Sequence, residues 1–75
     1  MTDHRLDARG LQCPLPVLRA RKALKALPVG ATLTVEATDP GASRDFAAFC
    51  EATGNRLRAS DEADGVYRFV IERCA

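Results

Sequence analysis

Polar and apolar positions alternate every second residue in some stretches of the chain and every third or fourth in others. The switches between these rhythms mark its elements. From Arg5 to Gly10, Leu6 and Ala8 alternate with Arg5, Asp7 and Arg9, the pattern of a short strand closed by a glycine turn. From Pro14 to Leu27 the step lengthens: Val17, Ala20, Ala23, Leu24 and Leu27 fall on one face of a helix that Pro28 and Gly30 terminate. Residues 32–38 alternate again, with Leu33, Val35 and Ala37 facing one way and Thr32, Thr34 and Glu36 the other. That is a strand with a single buried face.

Asp39-Pro40 reads as an N-cap followed by proline in the first turn of a second helix, with Ser43 as a rival cap. Phe46, Phe49, Cys50 and Thr53 follow at helical spacing, and Gly54 is a natural C-cap. Asn55 to Ser60 and Val66 to Glu72 read as two strands joined around Asp64-Gly65, a dipeptide that accepts the positive φ angles of a tight hairpin turn. Tyr67, Phe69 and Ile71 line the buried face of the last strand. The predicted order is therefore β-α-β-α-β-β. Two helices cover one face of a four-stranded mixed sheet, so the expected class is α/β (α+β), a two-layer sandwich. No repeat, linker or low-complexity stretch interrupts the pattern, and residues 1–75 are expected to form a single domain.

Composition narrows what such a domain does. A chain of 75 residues buries only a modest share of its unfolded surface, so chemistry is expected at the surface and not in an enclosed cavity. Eleven basic against ten acidic side chains leave a net charge of +1, which removes the general electrostatic case for nucleic-acid binding. The start, Met1-Thr2-Asp3-His4-Arg5, is polar and no run is long enough to cross a bilayer, so a soluble cytoplasmic protein without membrane contact is expected. Three cysteines at wide spacings, 13, 50 and 74, form neither a disulfide framework nor a Cys-x-x-Cys start to a metal site. Free thiols and no metal are expected.

Cys13 stands where the first strand's loop meets the first helix, beside backbone N–H groups that lack intrahelical partners and at the positive end of the helix dipole. Such a position typically draws a cysteine pKa down from about 8.5 and populates the nucleophilic thiolate. Pro14 favours extended backbone at Cys13, as an N-cap needs, and itself suits the first helical position. Pro16 is tolerated in the first turn yet disfavours helical geometry at Leu15, a local conflict of the kind found at functional sites. With both prolines lacking N–H groups, Leu15 and Val17 carry the donors available to the sulfur. Spacing alone leaves a second reading open, in which Cys13 is a small apolar residue and the prolines simply start a helix.

Arg19, Arg21, Lys22 and Lys25 follow Cys13 with no acid among them, on the side of the helix opposite its apolar stripe. Leu15 and Leu18 share that side, so the residues form either a solvated face or a small apolar and basic docking patch for an acidic partner. Cys50, one turn after Phe46, reads as a buried thiol, and Cys74 as an exposed one without an activating neighbour. His4 acts as a base only if folding brings it to Cys13.

Taken together, Leu6-Asp7-Ala8-Arg9-Gly10, Cys13-Pro14-Leu15-Pro16, Val17, Arg21-Lys22-Ala23-Leu24 and Gly30 resemble the TusA/SirA family of sulfur-transfer proteins. Asp39-Pro40, Arg44-Asp45 and Phe49-Cys50 extend the resemblance over nearly the whole chain. The resemblance implies a two-layer α/β sandwich and a sulfur carrier. Cys13 would accept sulfane sulfur as a persulfide from a cysteine desulfurase or another donor and relay it to a downstream acceptor protein, as in tRNA thiolation. It implies a sulfurtransferase-type relay without a cofactor, while the near-neutral charge and the lack of an aromatic platform speak against direct nucleic-acid binding. An alternative is a regulatory, redox- or selenium-related interaction module on the same fold. Cys74 lies outside the family pattern.

Overall fold

The computed structural model describes residues 3–74, so the polar start at Met1 and Thr2 lies outside the described residues. Its elements are β1 (Asp3–Ala8), α1 (Leu15–Lys25), β2 (Thr32–Ala37), α2 (Ala42–Thr53), β3 (Arg56–Ala63) and β4 (Val66–Glu72). The strands form one four-stranded sheet in the order β1-β2-β4-β3. β1 and β2 run parallel, whereas β4 is antiparallel to both β2 and β3. α1 packs on β1 and β2, α2 packs on β4 and β3, and the two helices touch. This is the expected mixed-sheet sandwich with both helices in one layer.

Period-two alternation explains the sheet's buried side. Leu33, Val35 and Ala37 of β2 and Phe69 and Ile71 of β4 are buried beneath the helices, while Tyr67 is half-buried at the end of the same row. Ala20 and Leu24 of α1 and Phe46 and Cys50 of α2 close the core from above. The rings of Phe46 and Phe69 stack with centroids 4.6 Å apart at an interplanar angle of 27°, tying α2 to the central strand by an offset aromatic contact. The opposite face of the sheet is polar and pairs its own charges, with Arg68 3.7 Å from Glu36 and Arg58 2.8 Å from Glu72.

Element ends differ from the sequence expectation wherever tertiary partners set them. The first strand lies two residues earlier than expected because its ladder runs from Asp3 opposite Thr32 to Ala8 opposite Ala37. Gly10 has left the ladder, and its N–H donates to Thr38 Oγ1 at 2.9 Å. α1 starts at Leu15 instead of Pro14 and ends at Lys25 instead of Leu27, because the N–H groups of Ala26 and Leu27 turn to the carbonyls of Ala23 and Leu24 in a tighter turn. α2 is capped by Gly41 and not by Asp39 or Ser43. Asp39 instead builds the turn before the helix: its carboxylate accepts the Gly41 N–H at 3.1 Å and its carbonyl accepts the Ala42 N–H at 3.0 Å. The hairpin is as expected, with Asp64 at φ 54° and Gly65 at φ 80°, but β3 continues to Ala63, three residues past the expected end.

Candidate functional site

Parallel pairing of β1 and β2 places their carboxyl ends at the same edge of the sheet, and each strand is followed there by a helix. The N-termini of α1 and α2 therefore open at one edge, the position where sheets with parallel strands most often present ligand-binding and reactive groups. Cys13 occupies this edge, in the loop before α1, with its side chain exposed. The turn before α2 closes on it: a Cβ placed on Gly41 would stand 3.9 Å from Cys13 Cβ and 3.0 Å from Asp39 Oδ2. The first-turn N–H groups of both helices have no intrahelical acceptors.

The proline run is arranged differently from the expectation. Pro14, and not Cys13, is the residue before α1, with φ −99° and ψ 19°, and no side chain caps the helix. Leu15 takes the first helical position and Pro16 the second, where its missing N–H costs nothing and its ring is buried against the core. The Leu15 N–H is committed to the Gln12 carbonyl at 2.8 Å, so it does not serve as a donor to sulfur. Val17 is half-buried against the core.

The thiol's own partner comes from the other helix. Cys13 S–H donates a hydrogen bond to Asp45 Oδ2, from the first full turn of α2. This reverses the expected electrostatics. The Asp45 hydrogen bond is the largest influence, followed by desolvation and the negative charges of Asp45 and Asp39; together they push the Cys13 pKa above its ordinary range against the opposing effect of Arg44. An acceptor carboxylate favours the protonated thiol. Sequence reasoning missed Asp45 as a site residue. Its traces were its place in the Arg44-Asp45 pair of the family pattern and its position as an acid in the first turn of the second helix.

The candidate docking residues separate into two groups. Leu15 and Leu18, 45% and 50% exposed, line an open groove of about 710 Å³ with Leu6, Arg19, Lys22, Ala23 and Ala26. This groove runs along the flank of α1 that faces edge strand β1. Arg21 and Lys25 lie instead over a second cleft with Leu24, Phe49, Thr53, Asn55 and Arg73, on the α2 side.

The remaining candidates stand apart from the site. Cys50 is buried, and desolvation, with a smaller contribution from Cys74, pushes its thiol up. Cys74 is exposed and its N–H is held by Asn55 Oδ1 at 2.9 Å. His4 is the second residue of β1, at the far end of that strand from Cys13. Among the described residues no cluster of three or more His, Cys, Asp or Glu side chains is placed to hold a metal ion, and no helix is long and apolar enough to cross a membrane.

Comparison with known proteins agrees with this geometry. Residues 4–73 match the family model described as sulfurtransferase TusA. The chain is 52% identical over 71 residues to the sulfur carrier protein TusA of Allochromatium vinosum, covering 95% of this chain and 93% of that one. It is 51% identical over 72 residues to a protein of Neisseria meningitidis, covering 96% and 97%. The crystal structure of a SirA-like protein from Desulfitobacterium hafniense superposes with a TM-score of 0.84 at 30% identity, over 99% of this chain and 100% of that one.

Proposed function

The chain belongs to the TusA family of sulfur carriers, and from that premise we propose that it takes up sulfane sulfur as a persulfide on Cys13 and relays it to an acceptor protein. The observation that supports this most is the placement of Cys13: an exposed thiol at the carboxyl edge of the parallel strands, between two helix N-termini. Sulfur carriers imply a donor before them and an acceptor after them. The donor is a cysteine desulfurase or another persulfide protein, and the product feeds tRNA thiolation or a related route of sulfur trafficking.

The exchange needs no cofactor. Cys13 thiolate attacks the outer sulfur of the donor persulfide, a new S–S bond forms, and the bond to the donor cysteine breaks with that cysteine leaving as thiolate. A second exchange of the same kind hands the outer sulfur to the acceptor. Docking uses the groove of Leu15, Leu18, Arg19 and Lys22 on the helix that follows Cys13, which suits a partner surface that is acidic around an apolar centre.

A relay assay tests this reading. Protein preloaded by a cysteine desulfurase and cysteine, then separated from the donor, is expected to convert an added acceptor cysteine to its persulfide, and Cys13→Ser protein is expected to deliver nothing. Complementation of a deletion strain by Cys13→Ser as well as by the parent chain would instead favour an interaction module that needs the surface and not the thiol.

A further inference from the structure

The hydrogen bond between Cys13 and Asp45 joins the reactive atom to a carboxylate that the proposed relay does not use. Asp45 is half-buried at the start of α2, and the groups facing the thiol are few. α2 contributes Asp45 and Arg44, and the turn before it contributes Asp39. The loop and first turn that carry Cys13, Gln12 to Leu18, bring no charged side chain, and the nearby Arg9 is paired with Asp7 at 2.9 Å. Two carboxylates and one guanidinium therefore surround the sulfur.

These groups treat the empty and loaded states differently. In the empty carrier the S–H donates to Asp45, and both carboxylates oppose ionisation. Once sulfur is attached, that S–H no longer exists. A persulfide is a stronger acid than the thiol it replaces, so the loaded cysteine carries an anion where Asp39 and Asp45 already oppose negative charge. We propose that Asp45 makes the empty, hydrogen-bonded thiol the preferred state of Cys13, so that it restrains adventitious reactions of the exposed thiol and favours handing sulfur on over retaining it. This rests on the sulfur-carrier reading for its second half only.

The exchange balances as Cys13–SH plus donor–S–S⁻ giving Cys13–S–S⁻ plus donor–SH. The new S–S bond at Cys13 replaces the one broken at the donor cysteine; the Cys13 proton leaves to solvent, the donor thiolate regains one, the Cys13 sulfur rises by one formal oxidation level and the donor cysteine sulfur falls by one, while the transferred sulfur keeps its own. Because the hydrogen bond is lost on loading, it weights this equilibrium toward the left, and in delivery it weights the reverse exchange toward release.

Asp45→Asn keeps the size of the side chain and removes its charge, and Asp45→Ala serves as a second variant should the first disturb folding. The first arm follows alkylation of Cys13 by iodoacetamide between about pH 6 and pH 10 in a Cys74→Ser background, spanning the ordinary cysteine pKa. Both variants are expected to shift the profile to lower pH and to react about tenfold faster at neutral pH; profiles that coincide with the parent's would overturn the proposal. The second arm equilibrates each protein with glutathione persulfide and glutathione and reads the loaded fraction by intact mass. The variants are expected to retain sulfur severalfold more strongly. An unchanged loaded fraction would refute the bias toward release even if the alkylation profile moves. If neither parent nor variant acquires sulfur here or from a desulfurase, the carrier reading has failed, and the alkylation arm alone still decides the restraint on the thiol.

Discussion

Cys13 and Asp45 lie 32 residues apart in the chain, yet one donates a hydrogen bond to the other. The cysteine was legible in sequence because its position before a helix and between prolines is local. Its partner was not, because Asp45 reaches the sulfur only after β1 and β2 pair in parallel register and both helices start at one edge. The electrostatic expectation failed for the same reason: a helix N-terminus is visible in sequence, but a carboxylate arriving from a distant helix is not. The other thiol with a raised pKa, Cys50, gives a prediction for folding. Its pKa is pushed up by burial first and by Cys74 second. A raised folded-state pKa means that the neutral thiol's contribution is complete below the unfolded value and is lost as pH climbs through the folded one. Thermal unfolding is therefore expected to hold a steady midpoint from neutral pH to about 8.5 and to fall above it. Cys50→Ala should lower the midpoint near neutrality but flatten the alkaline decline; an equally steep decline in the variant would assign the effect elsewhere.

Among the elements, hydrophobic period identified all six, and what it missed was their ends. Ladder partners cut β1 back to Ala8, and the Asp39 turn moved the start of α2 to Ala42, neither of which a count of apolar positions registers. The residues with special backbone geometry were legible because the requirement is local. Gly54 ends α2 at φ 80° and ψ 7°, with its N–H on the Cys50 carbonyl at 3.0 Å. Substitution Gly54→Ala places a Cβ in left-handed backbone and is expected to cost about 1–2 kcal/mol in urea unfolding; a cost near zero would mean that the helix end relaxes to another geometry. The other end of the sandwich depends on Arg73, which donates to the carbonyls of Leu24, Lys25 and Leu27 and so serves the last turn of α1. A charged donor on those carbonyls stabilises a helix C-terminus. Arg73→Met is expected to lose about 1–2 kcal/mol, measured by the same denaturation.

For the whole molecule, two layers followed from element order, since two helices cover only one side of four strands. The division of the basic face did not follow, because the α1 pattern alone does not say which flank meets α2 and which lies along β1. Arg19 and Lys22 border the groove beside the sheet edge, and Arg21 and Lys25 the cleft toward α2. Reversing Arg19 and Lys22 to glutamate is expected to slow sulfur uptake from a protein donor about tenfold at low salt, less at high salt, while iodoacetamide alkylation of Cys13 stays nearly unchanged. Equal uptake by the reversed protein would remove the groove from docking. The most direct test of the whole account locates the sulfur itself. After incubation with a cysteine desulfurase and cysteine, blocking with iodoacetamide and peptide mapping by mass spectrometry, the added sulfur atom is expected on Cys13 and absent from Cys13→Ala protein. The same gain in Cys13→Ala protein, or sulfur found on Cys74, the other exposed thiol, would contradict it.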